Sequence, residues 1–394
     1  MINEKKNFMT CKLPLGLIRI ADFQGYLFDL GDSMIDNCID IYREALNTEK
    51  EEMICSIAQA YVYNFSKREI YEQLFFKMAK IVEKDEKMKH FFIKVSLLEC
   101  PKLCKAMFDQ NIFKIAEVML NLVENCPFEA SFVFCLDIPE YQNFVQTMKA
   151  PKRKWNDQLC LFDKKEEWIK YGWPLGSIGY YIKYDIIDGL CSYISSLTNF
   201  DPNDIIMFSP FDMSPKIESV SLLYIAAIYG SNKCFRQLII SGAIMSCEEF
   251  YAAFYSGSYE IIHFGSDSFI PDIECLKNAA KTFNVQLINW VLDNRGNQIM
   301  DLSYLLESMN YKLIFDLIIN SFKFYSVSDL YRLKELYRIN TPLHIAAKKN
   351  LFESFKFFFE LGWDLNSKNS IPFCFFGLIN IFWTNTTVLF WDQW

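Results

Sequence analysis

The sequence predicts an all-α protein, an α-solenoid of stacked helix-turn-helix repeats preceded by a helical N-terminal region. Three observations predict this class. Amphipathic segments with apolar residues at i, i+3, i+4 and i+7 follow one another along the chain. Small residues recur in the second half at a nearly constant step. Glycine is scarce, with 14 in 394 residues, which argues against a hairpin-rich all-β chain because tight hairpins need glycine at their turns.

The amount of apolar sequence is sufficient for a large core. Apolar residues make up 52% of the chain and include 37 phenylalanines and 21 tyrosines, which excludes a mainly disordered protein. At 394 residues the chain exceeds the usual size of a single core. Two domains or one elongated repeat array is therefore expected.

The first region, residues 1–160, is predicted to be helical. Five amphipathic segments between residues 32 and 125 each have the length of a helix of about three to four turns, and brief polar breaks separate them. Such short breaks allow antiparallel neighbours to pack against each other. A polar stretch around Pro151 has few apolar residues, so we place a boundary near 150–162.

The second region, residues 165–340, contains a repeating unit. With Ala346 as the reference, equivalent small or apolar positions occur at Ala226, Ala253, Ala279 and Leu306. Neighbouring positions lie 27, 26, 27 and 40 residues apart, a nearly fixed step that is interrupted once. A step of this size is typical of helical repeat arrays.

A residue suited to ending a helix follows each reference position by four. It is Gly230, Gly257, Asn310 or Asn350, and Phe283 is the exception. A second apolar run comes next in each case. Each unit is therefore predicted to be a helix, a tight turn and a second helix, in about 26–33 residues.

The small residues are explained by helix packing. Two helices approach closely only if the residues at their crossing are small, and the pairs Ala226-Ala227 and Ala346-Ala347 provide this. An earlier, weaker unit around Tyr181 has the same layout, with a polar insertion between it and Ala226. Because a unit this small cannot bury its own apolar face, neighbouring units must stack to complete the core.

The segment TPLHIAAKKNLFESFKFFFELGWDLNSKN, residues 341–369, resembles an ankyrin repeat. The residues that carry the resemblance are the opening tetrapeptide Thr341, Pro342, Leu343 and His344, the small pair Ala346-Ala347, the helix terminator Gly362, and the hairpin start Asp364-Leu365-Asn366. Thr341 can cap the first helix, Pro342 suits a first turn that needs no N–H, and His344 can return a hydrogen bond to Thr341. The segment SLLYIAAIYGSNKCFRQLIISGA, from Ser221, resembles a worn copy.

The wider pattern resembles the degenerate ankyrin repeats of protist families, in which a helical N-terminal segment precedes the array. That resemblance implies a helical region at 1–160, degenerate ankyrin-like repeats at 165–340, a closely matching ankyrin repeat at 341–369, and an atypical apolar tail at 370–394. Two residues depart from the family pattern. Trp363 replaces the small residue after the glycine, and Asn350 replaces the usual glycine.

The net charge and the cysteine content limit which partners and which cellular compartment are expected. The formal net charge is −8 and the pI is about 5.2, so neutralising the phosphates of a nucleic acid is not an expected task. The basic run from Lys152 to Lys154 is interpreted as a solvated linker. The 13 cysteines are odd in number and scattered through apolar stretches, which is typical of reduced core thiols in a cytosolic chain.

The sequence offers no constellation that predicts catalysis, a metal or a cofactor. Cys100 and Cys104 lack a second ligand pair. The capping motif accounts for His344, and His90 and His263 lie in apolar helical runs. The glycine-rich stretch from Gly172 follows no predicted strand and precedes no Lys-Ser/Thr pair, so it is interpreted as a loop. An enzyme would need converging polar groups that this pattern does not provide.

The C-terminal tail carries two interpretations. Residues 371–391 contain no charge over 21 positions, and as a helix they would reach about 31 Å, enough to cross a bilayer. Pro372, Gly377 and Asn380 favour the other interpretation, in which a displaced final repeat packs its aromatic residues over the end of the array.

These observations together predict a cytoplasmic, non-enzymatic scaffold or adaptor that binds an unidentified protein through the concave face of an ankyrin-type array. Candidate contact residues are Lys348, Lys349, Trp363 and Asp364, although Trp363 could instead pack on the tail. The alternative is an ankyrin protein tethered to a membrane by residues 371–391.

Overall fold

A computed structural model describes residues 15–64, 67–125, 164–209 and 219–294, together with residues 134, 308, 310, 311 and 356. The chain divides into two compact units. The first comprises Met1–Asp29, Asp36–Ser56 and Asn297–Trp394, and the second comprises Leu30–Ile35 and Ile57–Gly296.

The described N-terminal part is helical throughout. Its helices are α1 (Leu15–Phe28), a 3-10 turn (Asp32–Met34), α2 (Ile35–Glu44), α3 (Asn47–Tyr63), α4 (Arg68–Val82), α5 (Glu86–Glu99), α6 (Pro101–Asp109) and α7 (Ile115–Asn125). The five amphipathic segments of the sequence correspond to α2, α3, α4, α5 and α7. The sequence pattern missed α1 and α6, which are helical all the same.

In the first unit, hydrogen bonds tie buried polar side chains together. The amide of Gln24, on α1, donates to the Ser56 hydroxyl at 2.9 Å, and its carbonyl accepts the Tyr311 N–H at 2.8 Å. Arg19 forms an ion pair with Glu49 at 3.1 Å, and the same carboxylate accepts the Leu46 N–H at the start of α3. Since burial of an unpaired polar group is costly, these bonds fix the pairing of α1 with α3.

In the second unit, α4 to α7 form a layer of packed helices. The Phe75 and Phe92 rings lie 4.3 Å apart between α4 and α5. The ammonium of Lys89, on α5, forms an ion pair with Glu117, on α7, at 2.5 Å. Asp85 caps α5 by accepting the Met88 N–H at 3.0 Å.

The rest of the second unit consists mainly of helical hairpins. The described elements are α8 (Lys165–Tyr171), α9 (Ile178–Lys183), α10 (Ile187–Ser196), β1 (Ile205–Met207), β2 (Ser219–Ser221), α11 (Leu222–Tyr229), α12 (Asn232–Ile240), α13 (Cys247–Ser256), α14 (Tyr259–Ser266), α15 (Ile273–Lys281) and α16 (Val285–Asn294).

These hairpins stack in chain order. The first helix of each hairpin, α9, α11, α13 and α15, packs against the corresponding helix of the next hairpin. The second helices α10, α12 and α14 pack against one another in the same order and form another layer. We call the first set the inner helices and the second set, with α16, the outer helices.

The turn between the helices of each hairpin contains a left-handed residue. Asp185, Gly230, Gly257 and Phe283 have φ values of 53°, 68°, 67° and 59°. Phe283, the exception in the glycine pattern, adopts the same conformation. A left-handed non-glycine residue costs about 1–3 kcal/mol, and burial of the Phe283 side chain, which is 2% exposed, offsets this cost.

Glycine is needed at Gly230 for a second reason. A Cβ at this position would lie 3.1 Å from the Cβ of Ser256, on the next inner helix. The backbone of one hairpin therefore touches the side chain of its neighbour, and a larger residue would push the two hairpins apart.

The polar insertion before α11 contains a short sheet that the sequence pattern did not predict. Strands β1 and β2 pair antiparallel, with Ile205 opposite Ser221 and Met207 opposite Ser219. The prediction of an all-α protein is confirmed for the described residues, apart from these two three-residue strands.

We expect the substitution Ala253→Leu to destabilise the protein by about 1–3 kcal/mol, because the larger side chain overpacks a site that is 0% exposed between inner helices. The matched control Ala116→Leu, on the exposed side of α7, should change stability by less than about 0.5 kcal/mol. Urea unfolding followed by circular dichroism measures both. Equal stability of the two variants would contradict close packing at Ala253.

Candidate interaction surface

The predicted reference alanines occupy equivalent places in the stack. Ala226, Ala253 and Ala279 are each 0% exposed, on α11, α13 and α15. Their carbonyls accept bonds that end these helices, from the N–H groups of Ser231 at 2.9 Å, Gly257 at 3.0 Å and Thr282 at 3.2 Å. The carbonyl of Tyr181 does the same for the Ile186 N–H, at 2.9 Å.

Polar side chains cap the starts of the inner helices. Ser221 accepts the Tyr224 N–H at 3.0 Å and donates to Glu249, on the next inner helix, at 2.6 Å. Glu249 in turn accepts the Ser246 N–H at 2.8 Å in a capping box. These bonds link each hairpin to the next, so they fix the register of the stack as well as the helix ends.

The next hairpin is tied in a similar way. Asp272 caps α15 and also accepts the Tyr251 hydroxyl at 2.7 Å. The Asn278 amide donates to the backbone carbonyl of Tyr251 at 3.0 Å. Two bonds therefore join α13 to α15.

Three pairs of side chains occupy equivalent positions on one face of the inner helices, and one of the six, Ile228, is fully buried. They lie two residues before and two residues after each reference alanine, one helical turn apart: Tyr224 and Ile228, Tyr251 and Tyr255, Lys277 and Lys281. Before its neighbours are considered, this face is the natural candidate for the concave binding surface that the sequence predicts.

The part of α3 that belongs to the second unit, residues 57–63, contacts one end of this face. The Tyr63 ring stacks on Tyr255, with centroids 5.2 Å apart and planes 12° apart. The Lys281 ammonium lies 5.2 Å from the Tyr63 ring centre and donates to the Tyr255 hydroxyl at 3.1 Å. The Gln59 amide donates to the Lys281 carbonyl at 3.2 Å. This end of the face is an internal interface.

Burial changes the ionisation of the tyrosines at this interface. Removal from water raises the pKa of Tyr63, while nearby Lys281 opposes the rise and Tyr255 and Glu99 add to it. Burial, together with Glu274, raises the pKa of Tyr255 well above its usual range. Both phenols therefore stay protonated in the folded protein at pH values where an exposed tyrosine ionises.

The sequence analysis did not identify Tyr63, Tyr255 or Lys281. The last two lie two residues after a reference alanine, so the repeat phase alone could have indicated which face they occupy. Tyr63 lies in a different region of the chain, and no spacing rule connects it to them.

Several predicted residues lie outside the described part of the chain. They are Thr341, Pro342, Leu343, His344 and Ala346 of the ankyrin-like segment, the candidate contacts Lys348, Lys349, Trp363 and Asp364, and the apolar tail. The reference position Leu306 and the predicted helix-ending residue Asn350 also lie outside it. These interpretations stay predictions.

The histidines and cysteines considered for chemistry are in helical surroundings. Nδ1 of His90 lies 3.3 Å from the Asn121 amide nitrogen, and His263 packs edge-on against Trp290. Burial raises the pKa of Cys104 to about 12, so this thiol is protonated at neutral pH. Within residues 15–294, where described, no three His, Cys, Asp or Glu side chains form a group that could hold a metal ion.

Among the helices that the structure describes, none combines the length and the apolar composition needed to cross a bilayer. The tail, residues 371–391, lies outside that comparison.

Comparison with known proteins identifies no relative. No family model, no characterised protein and no solved structure matches the chain. Functional inference therefore depends on the geometry of the stack and the chemistry of its surfaces.

We expect the unfolding free energy to fall as pH rises above about 10. Above this pH the unfolded chain loses its phenol protons, whereas buried Tyr63 and Tyr255 keep theirs in the folded protein. Each of these two tyrosines therefore contributes stability that is fully present below about pH 10 and decreases as the pH rises towards its pKa in the folded state. Tyr63→Phe and Tyr255→Phe should each reduce this slope by up to about 1.4 kcal/mol per pH unit. Urea titrations between pH 9 and 11 test this.

The exposed Tyr259 provides the matched control. The substitution Tyr259→Phe removes the hydroxyl of an exposed tyrosine, so it measures what the loss of one phenol outside the interface does to the slope. If all three variants show the same slope, then the phenols of Tyr63 and Tyr255 are not shielded from water.

Proposed function

We propose that the protein is a non-enzymatic scaffold or adaptor that binds another protein through its stack of helical hairpins. The observation that carries this proposal is the ordered packing of α9, α11, α13 and α15, each against the next, with a left-handed turn after every one. Such a stack presents a long surface on which neighbouring hairpins contribute equivalent side chains. Repeat arrays of this kind use that surface to bind proteins.

The proposal includes an ankyrin-type identity for the hairpins. Support comes from Ser221, which caps an inner helix five residues before its reference alanine, the spacing that separates Thr341 from Ala346. Asp272 also caps an inner helix, but it lies seven residues before Ala279. Further support is the turn four residues after each reference alanine, with Gly230 and Gly257 in left-handed conformation. The short α9 and the insertion that holds β1 and β2 make the earliest hairpin the most divergent unit.

The contact between α3 and the inner helices limits where a partner can bind. Tyr255 and Lys281 already contact Tyr63 and Gln59, so they are not available as they stand. The rest of the inner helices, the outer helices, the hairpin loops and the predicted contacts of residues 341–369 remain candidate binding surfaces. A cytoplasmic location, without nucleic acid, metal or cofactor as partner, completes the proposal.

Site-specific photo-crosslinking tests the adaptor function. A benzophenone amino acid is placed in the full-length protein at Lys277 on an inner helix, at Phe264 on an outer helix or at Ile244 in a hairpin loop, and the protein is irradiated in extract of the cells that make it. We expect a discrete protein adduct from at least one of these positions, because a partner bound to the stack lies within reach of the probe.

Leu120 on α7 is the matched control, since it is exposed but lies outside the hairpin stack. Adducts that form from Leu120 and from none of the three stack positions would contradict the proposal. Mass spectrometry of the adducts identifies the partner.

The membrane-tethered alternative depends on the uncharged run 371–391. We propose the cytoplasmic form, and expect the full-length protein to stay in the supernatant of a high-speed centrifugation, as does a chain that ends at Lys368. Recovery of the full-length protein alone in a detergent-extractable membrane fraction would instead support an anchor.

A further inference from the structure

Large aliphatic side chains project into solvent at one edge of the hairpin stack. Ile240, Ile244, Ile270 and Ile205 are 78%, 77%, 75% and 68% exposed, and Leu197 is 43% exposed. Single exposed apolar residues are common on protein surfaces, but a connected group of them marks an interaction site. We call these five residues the loop ridge.

The loop ridge follows the repeat. Leu197, Ile244 and Ile270 each lie in the segment that leaves an outer helix, after α10, α12 and α14. Because these outer helices pack against one another in chain order, their ends lie along the same edge of the stack. Ile244 and Ile270 each lie four residues after the end of an outer helix, and Leu197 lies one residue after the end of α10.

Specific contacts hold the three loops side by side. The Asn203 side-chain carbonyl accepts the Ile244 N–H at 2.9 Å, and its amide donates to the Gly242 carbonyl at 3.5 Å, which joins the first loop to the second. Met245 packs so closely on Gly265 that its methyl carbon would be 3.0 Å from an added Cβ, which joins the second loop to the end of α14. The segments that carry the loop ridge are therefore neighbours at this edge of the stack.

The described segments of these loops carry negative charge only, and Lys216 of the first loop lies outside the described residues. The segments 197–209, 241–249 and 266–274 contain no lysine or arginine. Their exposed carboxylates are Asp201, Asp204, Glu248 and Asp267. None of these four forms an ion pair with a cation of the described chain. The described loop segments thus combine exposed aliphatic side chains with exposed carboxylates.

We propose that the loop ridge binds a basic amphipathic segment of a partner protein, in which aliphatic residues cover the isoleucines and lysines or arginines face the carboxylates. This deepens the adaptor function above and rests on it. Opposite charge steers and orients such a segment, while burial of the aliphatic side chains holds it in place.

The charge also distinguishes this occupant from two others. An anionic membrane surface would be repelled by Asp201, Asp204, Glu248 and Asp267. A second copy of the chain would place two acidic edges against each other, which is unfavourable for the same reason. A cationic segment satisfies both the apolar and the charged part of the surface.

Fluorescence anisotropy with full-length protein tests the assignment. The probe is a labelled helical peptide of 18 residues, made of leucine along one face and lysine elsewhere, and its counterpart has glutamate in place of lysine. We expect the leucine–lysine peptide to bind at least about tenfold more tightly than the leucine–glutamate peptide, with an affinity that falls as salt is added.

Two sets of variants locate the binding surface. Ile244→Ser combined with Ile270→Ser should weaken binding of the leucine–lysine peptide by about tenfold or more. The charge set Asp201→Asn, Asp204→Asn, Glu248→Gln and Asp267→Asn should weaken binding and also flatten its salt dependence. All of these side chains are exposed, and circular dichroism with urea unfolding verifies that each variant folds as the parent does.

Matched controls come from the N-terminal helices. Leu98→Ser with Leu120→Ser removes two exposed leucines, and Glu69→Gln, Glu83→Gln, Glu86→Gln and Glu99→Gln removes four exposed carboxylates. Both controls should bind the peptide as the parent does. Equal binding by the ridge variants and the controls would overturn the assignment.

Three further results would overturn the assignment. Equal binding of the leucine–glutamate peptide would show that charge does not select the occupant. A dimer that the isoleucine variant makes monomeric would assign the ridge to a second copy of the chain, and binding of phosphatidylserine vesicles through the ridge would assign it to a membrane. If the ridge assignment fails while photo-crosslinks form from Lys277 or Phe264, the adaptor function stands. If no crosslink forms from any of the three stack positions, the adaptor function itself is contradicted.

Discussion

Close contact between neighbouring inner helices is the constraint on which the rest of the stack depends. Each hairpin has two helices of six to ten residues, so it cannot bury its own apolar side chains. The apolar surface is removed from water only when hairpins lie against one another, and the buried Ala226, Ala253 and Ala279 permit that approach. A side chain larger than alanine at these points would separate the helices and expose both layers.

Polar groups at both ends of the inner helices make this packing specific. At one end, Ser221 caps α11 and donates a hydrogen bond to Glu249 of the next hairpin. Asp272 caps α15 and accepts a hydrogen bond from the Tyr251 hydroxyl of the preceding hairpin. At the other end, the left-handed turns bring Gly230 against Ser256. The same residues that stop each helix therefore also set its position relative to the next, which is why irregular hairpins with little sequence similarity still stack in order.

Two of the surfaces of this stack differ in what they can do. The inner face carries tyrosines and lysines, but part of it is used internally, because α3 places Tyr63 on Tyr255 and Gln59 on the Lys281 backbone. The edge formed by the hairpin loops has exposed isoleucines, and the four exposed carboxylates of the same segments form no ion pair within the described part of the chain. An internal interface stabilises the fold, whereas an exposed apolar and acidic edge is available to a partner.

The sequence by itself determined the helical class, the step of the repeat and the small residues at the crossings, because these depend on local periodicity and side-chain volume. It also located the turns, although it did not foresee that Phe283 would adopt a left-handed conformation, since burial of that side chain depends on the packed fold and not on local sequence. Only the tertiary structure decided which face of the inner helices is covered and which loops align. Those outcomes depend on contacts such as Tyr63 with Tyr255 and Asn203 with Ile244, between residues that no spacing rule relates.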